Sequence, residues 1–284
     1  MAKILSPLLP DCGEGVLGED AAVHSKYPKY RFYFSMLREL AKSTYVLFFG
    51  REVRPRRILR GPLSGWRISV SPAENLSYLV GTAEPHLERA IRQFVSPGDI
   101  VYDVGANIGY FSLTLAKRVR SKGRVAAFEP IAENVRLLRE NVRNNHLANV
   151  AVFDVAASDR RGEATIRMTK SRSMASLVWH KADTSAAEFV VNTVAIDDLV
   201  EAGTLGPPTF VKIDVEGAEG LVVRGMRRTI AAARPVLFIE CSDAGREETW
   251  QLLRGFSYRC ESAITRESVE VFEAYRHADF LWLP

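Results

Sequence analysis

The chain has 284 residues, of which 47% are hydrophobic and 25% charged, as in an ordinary globular protein that buries a full core. Its three cysteines are few and odd in number and lack a Cys-x-x-Cys pair, which argues against a disulfide framework or a zinc site and favours a cytoplasmic protein. No apolar run is long enough to predict a transmembrane helix, and the N-terminus lacks the pattern of a signal peptide.

The net charge of +4 is distributed unevenly along the chain. Residues 1–60 contain 11 Lys or Arg and 6 Asp or Glu, a net charge of +5, so the other residues together carry −1. This balance gives no reason to expect nucleic acid as a partner of the whole chain. The basic N-terminal segment is typical of a solvated helix face, with phosphate or lipid binding as the alternative.

The residue pattern predicts an N-terminal extension over 1–80 and a main domain over 81–284. Residues 1–25 predict an irregular arm, and the mixed aromatic and basic residues of 27–49 predict an amphipathic helix that is a candidate homodimer contact. Residues 56–83 predict short strands with turns. Residues 84–94 predict a helix, because Pro85 falls where a first helical turn tolerates proline.

From residue 99 onward, short apolar strands alternate with amphipathic helices. Strands are predicted at 100–104, 124–128, 149–156, 209–213 and 235–240, and helices at 110–119, 133–145 and 218–233. Residues 160–196 predict a β excursion, with strands at 162–168 and 189–196 around a polar loop at 169–187, and the tail predicts strands at 258–261 and 280–283. Repeated β-α-β units predict a Rossmann-like α/β fold with a mostly parallel sheet and helices on both faces. Ligands of such sheets bind at the carboxyl ends of the strands.

The first strand of this series runs into the loop Asp103-Val-Gly-Ala-Asn-Ile-Gly109, and a helix follows at once. Glycines in such a loop let the backbone approach a ligand closely. A dinucleotide site has the spacing Gly-x-Gly-x-x-Gly, whereas this loop has Gly-x-x-x-Gly with Asn107 in the middle. A carboxylate at Asp103 would repel a pyrophosphate but can accept hydrogen bonds from an ammonium group. The loop therefore favours S-adenosylmethionine over a dinucleotide.

Glu129 ends the second strand of the series, in Phe128-Glu-Pro130. A carboxylate at this position can accept hydrogen bonds from both hydroxyls of a ribose. It supports a nucleoside ligand without distinguishing S-adenosylmethionine from NAD.

Several segments together resemble the FkbM family of class I methyltransferases. They are Tyr102-Asp-Val-Gly-Ala-Asn-Ile-Gly-Tyr-Phe-Ser112, Phe128-Glu-Pro130, Val194-Ala-Ile-Asp-Asp-Leu199, Val211-Lys-Ile-Asp-Val-Glu-Gly-Ala-Glu219 and Leu237-Phe-Ile-Glu240. The resemblance covers about residues 78–284. It implies a seven-stranded sheet, S-adenosylmethionine as cofactor, and transfer of a methyl group to a hydroxyl of a small-molecule acceptor, such as a sugar or a natural product.

The loop motif, the fold and the resemblance give a set of expected cofactor-binding residues. Within it, Glu84 is expected at the methionine end of the cofactor, although helix capping is its simplest role, and Ile131 and Ala156 are expected at the adenine. The set is Glu84, Asp103, Gly105, Ala106, Asn107, Ile108, Gly109, Tyr110, Phe111, Glu129, Pro130, Ile131, Ala156 and Asp214.

Methylation of a hydroxyl calls for a general base, because an alcohol is a weak nucleophile. The expected catalytic residues lie at two adjacent strand ends or in the polar loop, and they are Lys212, Asp214, Glu216, Glu240 and His180. Lys212 is equally open to a role as a structural ion pair. Asp214, Glu216 and Glu240 also permit a Mg²⁺ site that would lower the pKa of the acceptor hydroxyl, although a metal-free site is favoured.

Two other functions compete with O-methylation. The first is a nucleic-acid methyltransferase that uses the basic residues 26–60, which the near-neutral remainder of the chain disfavours. The second is a cofactor-binding scaffold without catalysis, which the intact acidic cluster at the strand ends disfavours.

Overall fold

The computed structural model describes residues 50–168, 175–176, 187–241, 243–272 and 279–284. The arm predicted at 1–25, the amphipathic helix predicted at 27–49 with its dimer contact, and most of the polar loop lie outside the described residues. By internal contacts the chain forms two units, of which the larger comprises residues 54–70 and 77–284. The domain division expected between residues 80 and 81 stays a prediction.

The secondary structure begins with an antiparallel hairpin and two helices. These are β1 (Arg54–Arg57), β2 (Arg67–Val70), α1 (Pro72–Val80) and α2 (Pro85–Phe94). The next elements are β3 (Ile100–Val104), α3 (Tyr110–Val119), β4 (Arg124–Phe128), α4 (Ala132–Asn144) and β5 (Val150–Phe153). The excursion follows as β6 (Ala156–Ala157), β7 (Gly162–Met168), β8 (Ala175–Ser176) and β9 (Ala187–Val194).

The chain then returns to alternating helices and strands. These are α5 (Ile196–Glu201), β10 (Phe210–Asp214), α6 (Glu219–Arg224), α7 (Arg227–Ala233), β11 (Val236–Glu240), α8 (Asp243–Gly255), β12 (Arg259–Ser262) and β13 (Asp279–Leu283). Among the described residues, no helix combines the length and the apolar character that crossing a membrane requires.

A seven-stranded sheet is the centre of the larger unit, in the order β12-β13-β11-β10-β3-β4-β5. All neighbouring strands are parallel except β13, which is antiparallel to β11 and β12. The excursion forms a separate four-stranded sheet in the order β6-β9-β7-β8. The predicted mostly parallel, seven-stranded α/β fold is therefore confirmed.

Several sequence-based assignments differ from the structure. Residues 72–80 form a helix instead of a strand, since Pro72 fits a first helical turn. The third strand ends at Phe153, and a bend separates it from β6. Helix α8 was absent from the prediction. The helix expected at 218–233 is broken at Gly225, where a Cβ atom would lie 1.9 Å from the Ser158 carbonyl oxygen.

Asp197 explains why α7 begins where it does. The strand expected to continue to 196 ends at Val194, and Asp197 lies in the first turn of α5. Its buried carboxylate accepts hydrogen bonds from the backbone N–H groups of Arg228 (2.9 Å) and Thr229 (2.8 Å) and from the Thr229 hydroxyl. These N–H groups have no partner within their own helix, so Asp197 caps α7 from a distant part of the chain.

Candidate active site

The loop between β3 and α3 depends on glycine at both ends. Gly105 has φ +79°, and a Cβ atom there would lie 1.8 Å from the Asp214 carbonyl oxygen. Gly109 has φ +92°, and a Cβ atom there would meet the side chain of Leu138 at 2.2 Å. Only glycine fits both the left-handed backbone and this close approach. The two glycines therefore let the loop pack against β10 on one side and α4 on the other.

Buried polar side chains hold the same loop in place. Asn141 of α4 donates to the Ile108 carbonyl oxygen at 2.8 Å and accepts from the Ser69 N–H at 2.6 Å. Lys212 of β10 donates to the Gly105 carbonyl oxygen at 2.8 Å. Because Asn141 is fully buried, both of its hydrogen bonds are needed to satisfy its amide. The loop is thus fixed to the hairpin, to α4 and to the central strand at once.

A cavity opens beside this loop at the carboxyl ends of the parallel strands. Eight of its lining residues were expected from the sequence: Gly105, Asn107, Glu129, Pro130, Ile131, Ala156, Asp214 and Glu216. Val104, Phe128, Asn134, Val155, Ala157, Ile166 and Val215 complete the lining. The combination of apolar walls with a few polar groups suits a nucleoside, whose base is flat and apolar and whose ribose carries hydroxyls.

Glu129 is the acidic group of the cavity, and its carboxylate already accepts three hydrogen bonds. The donors are the backbone N–H groups of Asn107 (2.8 Å) and Ile131 (2.9 Å) and the Asn134 amide (3.2 Å). A carboxylate offers about four acceptor positions, so one remains on the oxygen that faces Asn107. This leaves one acceptor position for a ribose hydroxyl, and the expected contact with both hydroxyls stays a prediction. Burial raises the pKa of Glu129, and the hydrogen bond from Ile131 opposes the shift.

Other expected residues do not line this cavity. They are Glu84, Asp103, Ala106, Ile108, Gly109, Tyr110, Phe111, Lys212 and Glu240. Ala106, Ile108, Tyr110 and Phe111 are buried in the apolar core beside the loop. Their contribution is to the shape of the loop and of the first turn of α3.

Asp103 differs most from expectation, because its carboxylate does not face the cavity. Its side chain is 0% exposed. One oxygen accepts from the Ser112 hydroxyl at 2.5 Å, and the other lies 3.4 Å from the Lys212 ammonium nitrogen. Asp103 is therefore turned into the sheet towards a buried cation, and its expected contact with the cofactor ammonium group stays a prediction.

Lys212 is the buried cation at the centre of the site. Its ammonium nitrogen lies 3.1 Å from Asp214 and 3.4 Å from Asp103, and its side chain is 3% exposed. Burial alone lowers the pKa of Lys212, but Asp214, Asp103 and Glu84 outweigh burial and raise the pKa overall. A lysine that stays protonated cannot act as a general base. The geometry therefore favours the ion-pair role over the direct catalytic one.

Carboxylates from three neighbouring strands form a row beside this lysine. Asp214 is the register partner of Glu240, and Glu240 is the register partner of Asp279. Side chains at directly paired positions lie on the same face of a sheet. Lys212, two residues before Asp214, projects to that face as well. We refer to Asp214, Glu240 and Asp279 as the acidic row.

Glu84 faces the same group of charges from the start of α2. It has a left-handed backbone (φ 37°, ψ 68°) and makes no side-chain capping hydrogen bond, so capping is not its role. Burial raises the pKa of Glu84 to about 7, with attraction to Lys212 opposing the shift and repulsion from Asp214 adding to it. Burial and repulsion from Asp214 and Asp279 raise the pKa of Glu240 to about 8. Both carboxyl groups are therefore protonated more readily near neutral pH than an ordinary glutamic acid side chain.

Glu216 and Tyr78 lie beside the acidic row. Glu216 has φ 51° in the turn after β10, and burial together with Asp214 raises its pKa. Tyr78, which the sequence reasoning missed, stacks on Tyr110 with ring centroids 4.5 Å apart. Burial raises the pKa of the Tyr78 hydroxyl, and Glu84 and Asp214 are among its charged neighbours. Tyr78 thus forms an aromatic wall next to these carboxylates.

Two further expectations concern a magnesium site and the histidine of the polar loop. Among the described residues, no group of three or more His, Cys, Asp or Glu side chains is arranged to hold a metal ion, and the Asp214, Glu216 and Glu240 set is included in that statement. One Asp214 oxygen is instead paired with Lys212. His180 lies outside the described residues.

Comparison with known families decides which family this arrangement belongs to. The family model described as "Methyltransferase FkbM domain" matches residues 103–268, which is more than half of the chain. The chain belongs to the FkbM methyltransferase family. The matched region contains the cofactor loop, Glu129, Lys212 and two members of the acidic row.

Two methyltransferases with known names resemble this chain over about half of its length. It is 29% identical to the hexuronic acid methyltransferase AglP of Haloferax volcanii, over 54% of this chain and 61% of that protein. It is 27% identical to the 2-O-methyltransferase NoeI of Sinorhizobium fredii, over 54% of this chain and 68% of that protein. The match to AglP spans less than two thirds of that protein's length. The solved structure of methyltransferase FkbM from Methylobacillus flagellatus has 20% identity and a TM-score of 0.42, over 75% of this chain and 53% of that chain.

Proposed function

We propose that this chain transfers a methyl group from S-adenosylmethionine to a hydroxyl group of a sugar or of a sugar-bearing metabolite. The observation that carries the proposal is the position of Asp214. It lines the cavity beside the loop and is also the first member of the acidic row. A cofactor in the cavity and an acceptor at the acidic row would therefore meet at one strand end. Membership of the FkbM family and the names of AglP and NoeI support the same reaction class.

The cavity residues fit S-adenosylmethionine, which when bound supplies an electrophilic methyl group on a sulfonium. Glu129 has one free acceptor position for a ribose hydroxyl. Ile131, Ala156 and Ile166 provide apolar contacts for the adenine ring. Asp214 lines the end of the cavity nearest the acidic row, where its carboxylate can stabilise the positive charge of the sulfonium.

We propose Glu240 as the general base that removes the proton from the acceptor hydroxyl. Its raised pKa matches the requirement of a base that works near neutral pH. Glu216 lines the cavity and is placed to accept hydrogen bonds from other hydroxyls of the acceptor. Lys212 acts as a positioning residue, since it holds Asp103, Asp214 and the Gly105 carbonyl oxygen together. Alignment of the acceptor by these groups lowers the barrier by about 7–11 kcal/mol in favourable cases.

A methyl-transfer assay tests the proposal with labelled S-adenosylmethionine and a panel of neutral sugars, uronic acids and their glycosides. The Glu240→Gln variant should lower kcat by about 10²–10⁴-fold and leave the cofactor Kd unchanged. Glu247→Gln is the matched control, because Glu247 is exposed on α8. Wild-type kcat in the Glu240→Gln variant would refute the role of Glu240. Cofactor binding without transfer to any acceptor would instead favour a non-catalytic scaffold.

A further inference from the structure

A groove lined by cations lies on the far side of the fold from the cofactor cavity. Its lining residues, which we call the basic groove, are Trp66, Ala116, Lys117, Arg120, Ser121, Arg124, His146, Leu147, Ala148 and Asn149. Three of them are Lys or Arg, one is His, and none is acidic. The groove has a volume of about 430 Å³, within the range typical of small-molecule sites.

The basic groove is separate from the candidate active site. Arg124 is the first residue of β4 and lines the groove, whereas Phe128 is the last residue of the same strand and lines the cofactor cavity. Four steps along a strand correspond to about 13 Å. A ligand in the basic groove therefore cannot also contact the reacting atoms at the other end of the sheet.

The positive charge continues into a second groove that shares Lys117 and Arg120 with the first. Arg92 and Arg118 also line this second groove. Its one acidic lining residue, Glu88, is already paired with Arg92 at 3.6 Å. The cations therefore exceed the anions along the whole surface, and such an excess attracts ligands with several negative charges.

The fold uses only part of the hydrogen-bonding capacity of these cations. One guanidinium nitrogen of Arg124 donates to the carbonyl oxygens of Ser121 (3.2 Å) and Gly123 (3.0 Å), which leaves its other donors for a ligand. The carbonyl groups at the end of α3 are satisfied by the Asn149 amide, which donates to Ala116 at 3.2 Å and to Arg120 at 2.8 Å. Lys117 uses one donor on the Pro62 carbonyl oxygen and has two left. Among the described residues, neither Lys117, Arg120 nor Arg124 has a carboxylate within 4.0 Å.

Two residues that line the basic groove have a positive φ, and one of them, Arg120, is strained. Arg120 has φ 60° and ψ −171°, a region that is almost restricted to glycine, and His146 has φ 55°. Strain of this kind persists where the surrounding structure imposes it, and it clusters at ligand-binding positions. A glycine at residue 120 would relieve the strain but would remove the guanidinium group from the groove. The presence of arginine there indicates that the side chain has a use.

We propose that the basic groove binds a small diphosphate-bearing ligand, of the nucleoside diphosphate class. Lys117, Arg120 and Arg124 would hold the phosphates, because three cations around one groove exceed the charge of a single phosphate group. The Lys117 ammonium nitrogen lies 5.3 Å from the centroid of the Trp66 ring in the groove. It would turn to the phosphates when the base stacks on that ring, since aromatic stacking accepts any base. The volume of the groove, about 430 Å³, suits a ligand of this size.

Calorimetric titration with two probes tests the proposal, with S-adenosylhomocysteine present to fill the cofactor cavity. Inorganic pyrophosphate and uridine diphosphate should each bind one site per chain at low ionic strength. Arg120→Gly should bind both probes at least about tenfold more weakly and yet be more stable to heat than the wild type, because the backbone strain is relieved. Arg227→Ala, an exposed arginine on α7, is the matched control and should bind both probes as the wild type does.

The Trp66→Leu variant tests the placement of the base. It should weaken uridine diphosphate by several-fold and leave pyrophosphate unchanged. The proposal is overturned if neither probe binds the wild type, if Arg120→Gly binds with wild-type affinity, or if Arg227→Ala loses as much affinity as Arg120→Gly. An equal loss of both probes in Trp66→Leu would overturn the stacking on the indole.

Discussion

Removal of the buried ammonium group of Lys212 is expected to destabilise the whole sheet. In Lys212→Met the side chain keeps its length, but Asp103 and Asp214 lose the cation that lies 3.4 Å and 3.1 Å from them. Breaking a buried ion pair from one side costs about 3–5 kcal/mol, because a charge stays buried without its partner. A loss of about 4 kcal/mol corresponds to a fall in Tm of roughly 10 °C for a domain of this size.

Urea unfolding followed by circular dichroism measures this loss directly. Lys122→Met is the matched control, because Lys122 is exposed in the turn after α3 and should change the free energy of unfolding by less than about 0.5 kcal/mol. A second change, Asp103→Asn in the Lys212→Met background, should recover part of the stability, because it removes one of the uncompensated charges. A loss below about 1 kcal/mol in Lys212→Met would refute the view that this lysine compensates buried carboxylates.

Three further changes test other parts of the site. Burial raises the pKa of Glu84 to about 7 from an ordinary 4.5. The protonated side chain therefore stabilises the fold below pH 4.5, and this stabilisation is lost as the pH rises through 7. The free energy of unfolding of Glu84→Gln, measured with urea, should therefore rise by up to about 3 kcal/mol relative to the wild type from pH 5 to pH 8. Parallel curves of unfolding free energy against pH for the two proteins would contradict this prediction. Gly105→Ala should lower Tm far more than Gly65→Ala. Both glycines have positive φ, but only at residue 105 would a Cβ atom collide with the Asp214 carbonyl oxygen. Equal Tm values would contradict the claim that this close contact requires glycine. Asn141→Ala should cost about 2–4 kcal/mol through its two lost buried hydrogen bonds, and an unchanged unfolding midpoint would contradict that role.

The sequence predicts well those features that depend on local periodicity. The strands at 100–104 and 124–128 and the helix at 110–119 agree with the structure at both ends. Each is an apolar or amphipathic run bounded by glycine, proline or charged residues, so its limits are encoded nearby. The glycines at 105 and 109 are likewise readable, because strand, glycine and helix follow one another directly.

The direction and pairing of charged side chains are not encoded locally. Asp103 and Lys212 are 109 positions apart in the sequence, and only the register of β3 with β10 brings them together. From sequence alone, a carboxylate at a strand end is therefore predicted to contact a ligand. The neighbouring strand has to be known before an ion pair can be predicted instead. Asp279 was missed for a related reason, since it joins the acidic row only through the antiparallel pairing of β13 with β11.

The sequence pattern could have predicted some of the residues that were missed. Asn141 lies on the apolar face of α4 defined by Val135, Leu138 and Val142, and a polar residue on such a face points to a buried hydrogen bond. Tyr78 left less trace, because residues 72–80 were interpreted as strand and its position on a helix was therefore not considered. The basic residues at 117–124 are visible in the sequence, but their pattern alone does not predict a groove.

Calorimetric titration of the chain with S-adenosylmethionine tests the central claim most directly, because it requires no acceptor. The account predicts binding of one cofactor per chain and at least about tenfold weaker binding by Glu129→Ala. The Glu129 carboxylate accepts hydrogen bonds from the Asn107 and Ile131 N–H groups, and its remaining acceptor position is proposed for the ribose. Glu133→Ala, an exposed residue in the first turn of α4, should bind as the wild type does. Absence of binding by the wild type, or equal affinity in Glu129→Ala, would contradict the assignment of this cavity to the cofactor.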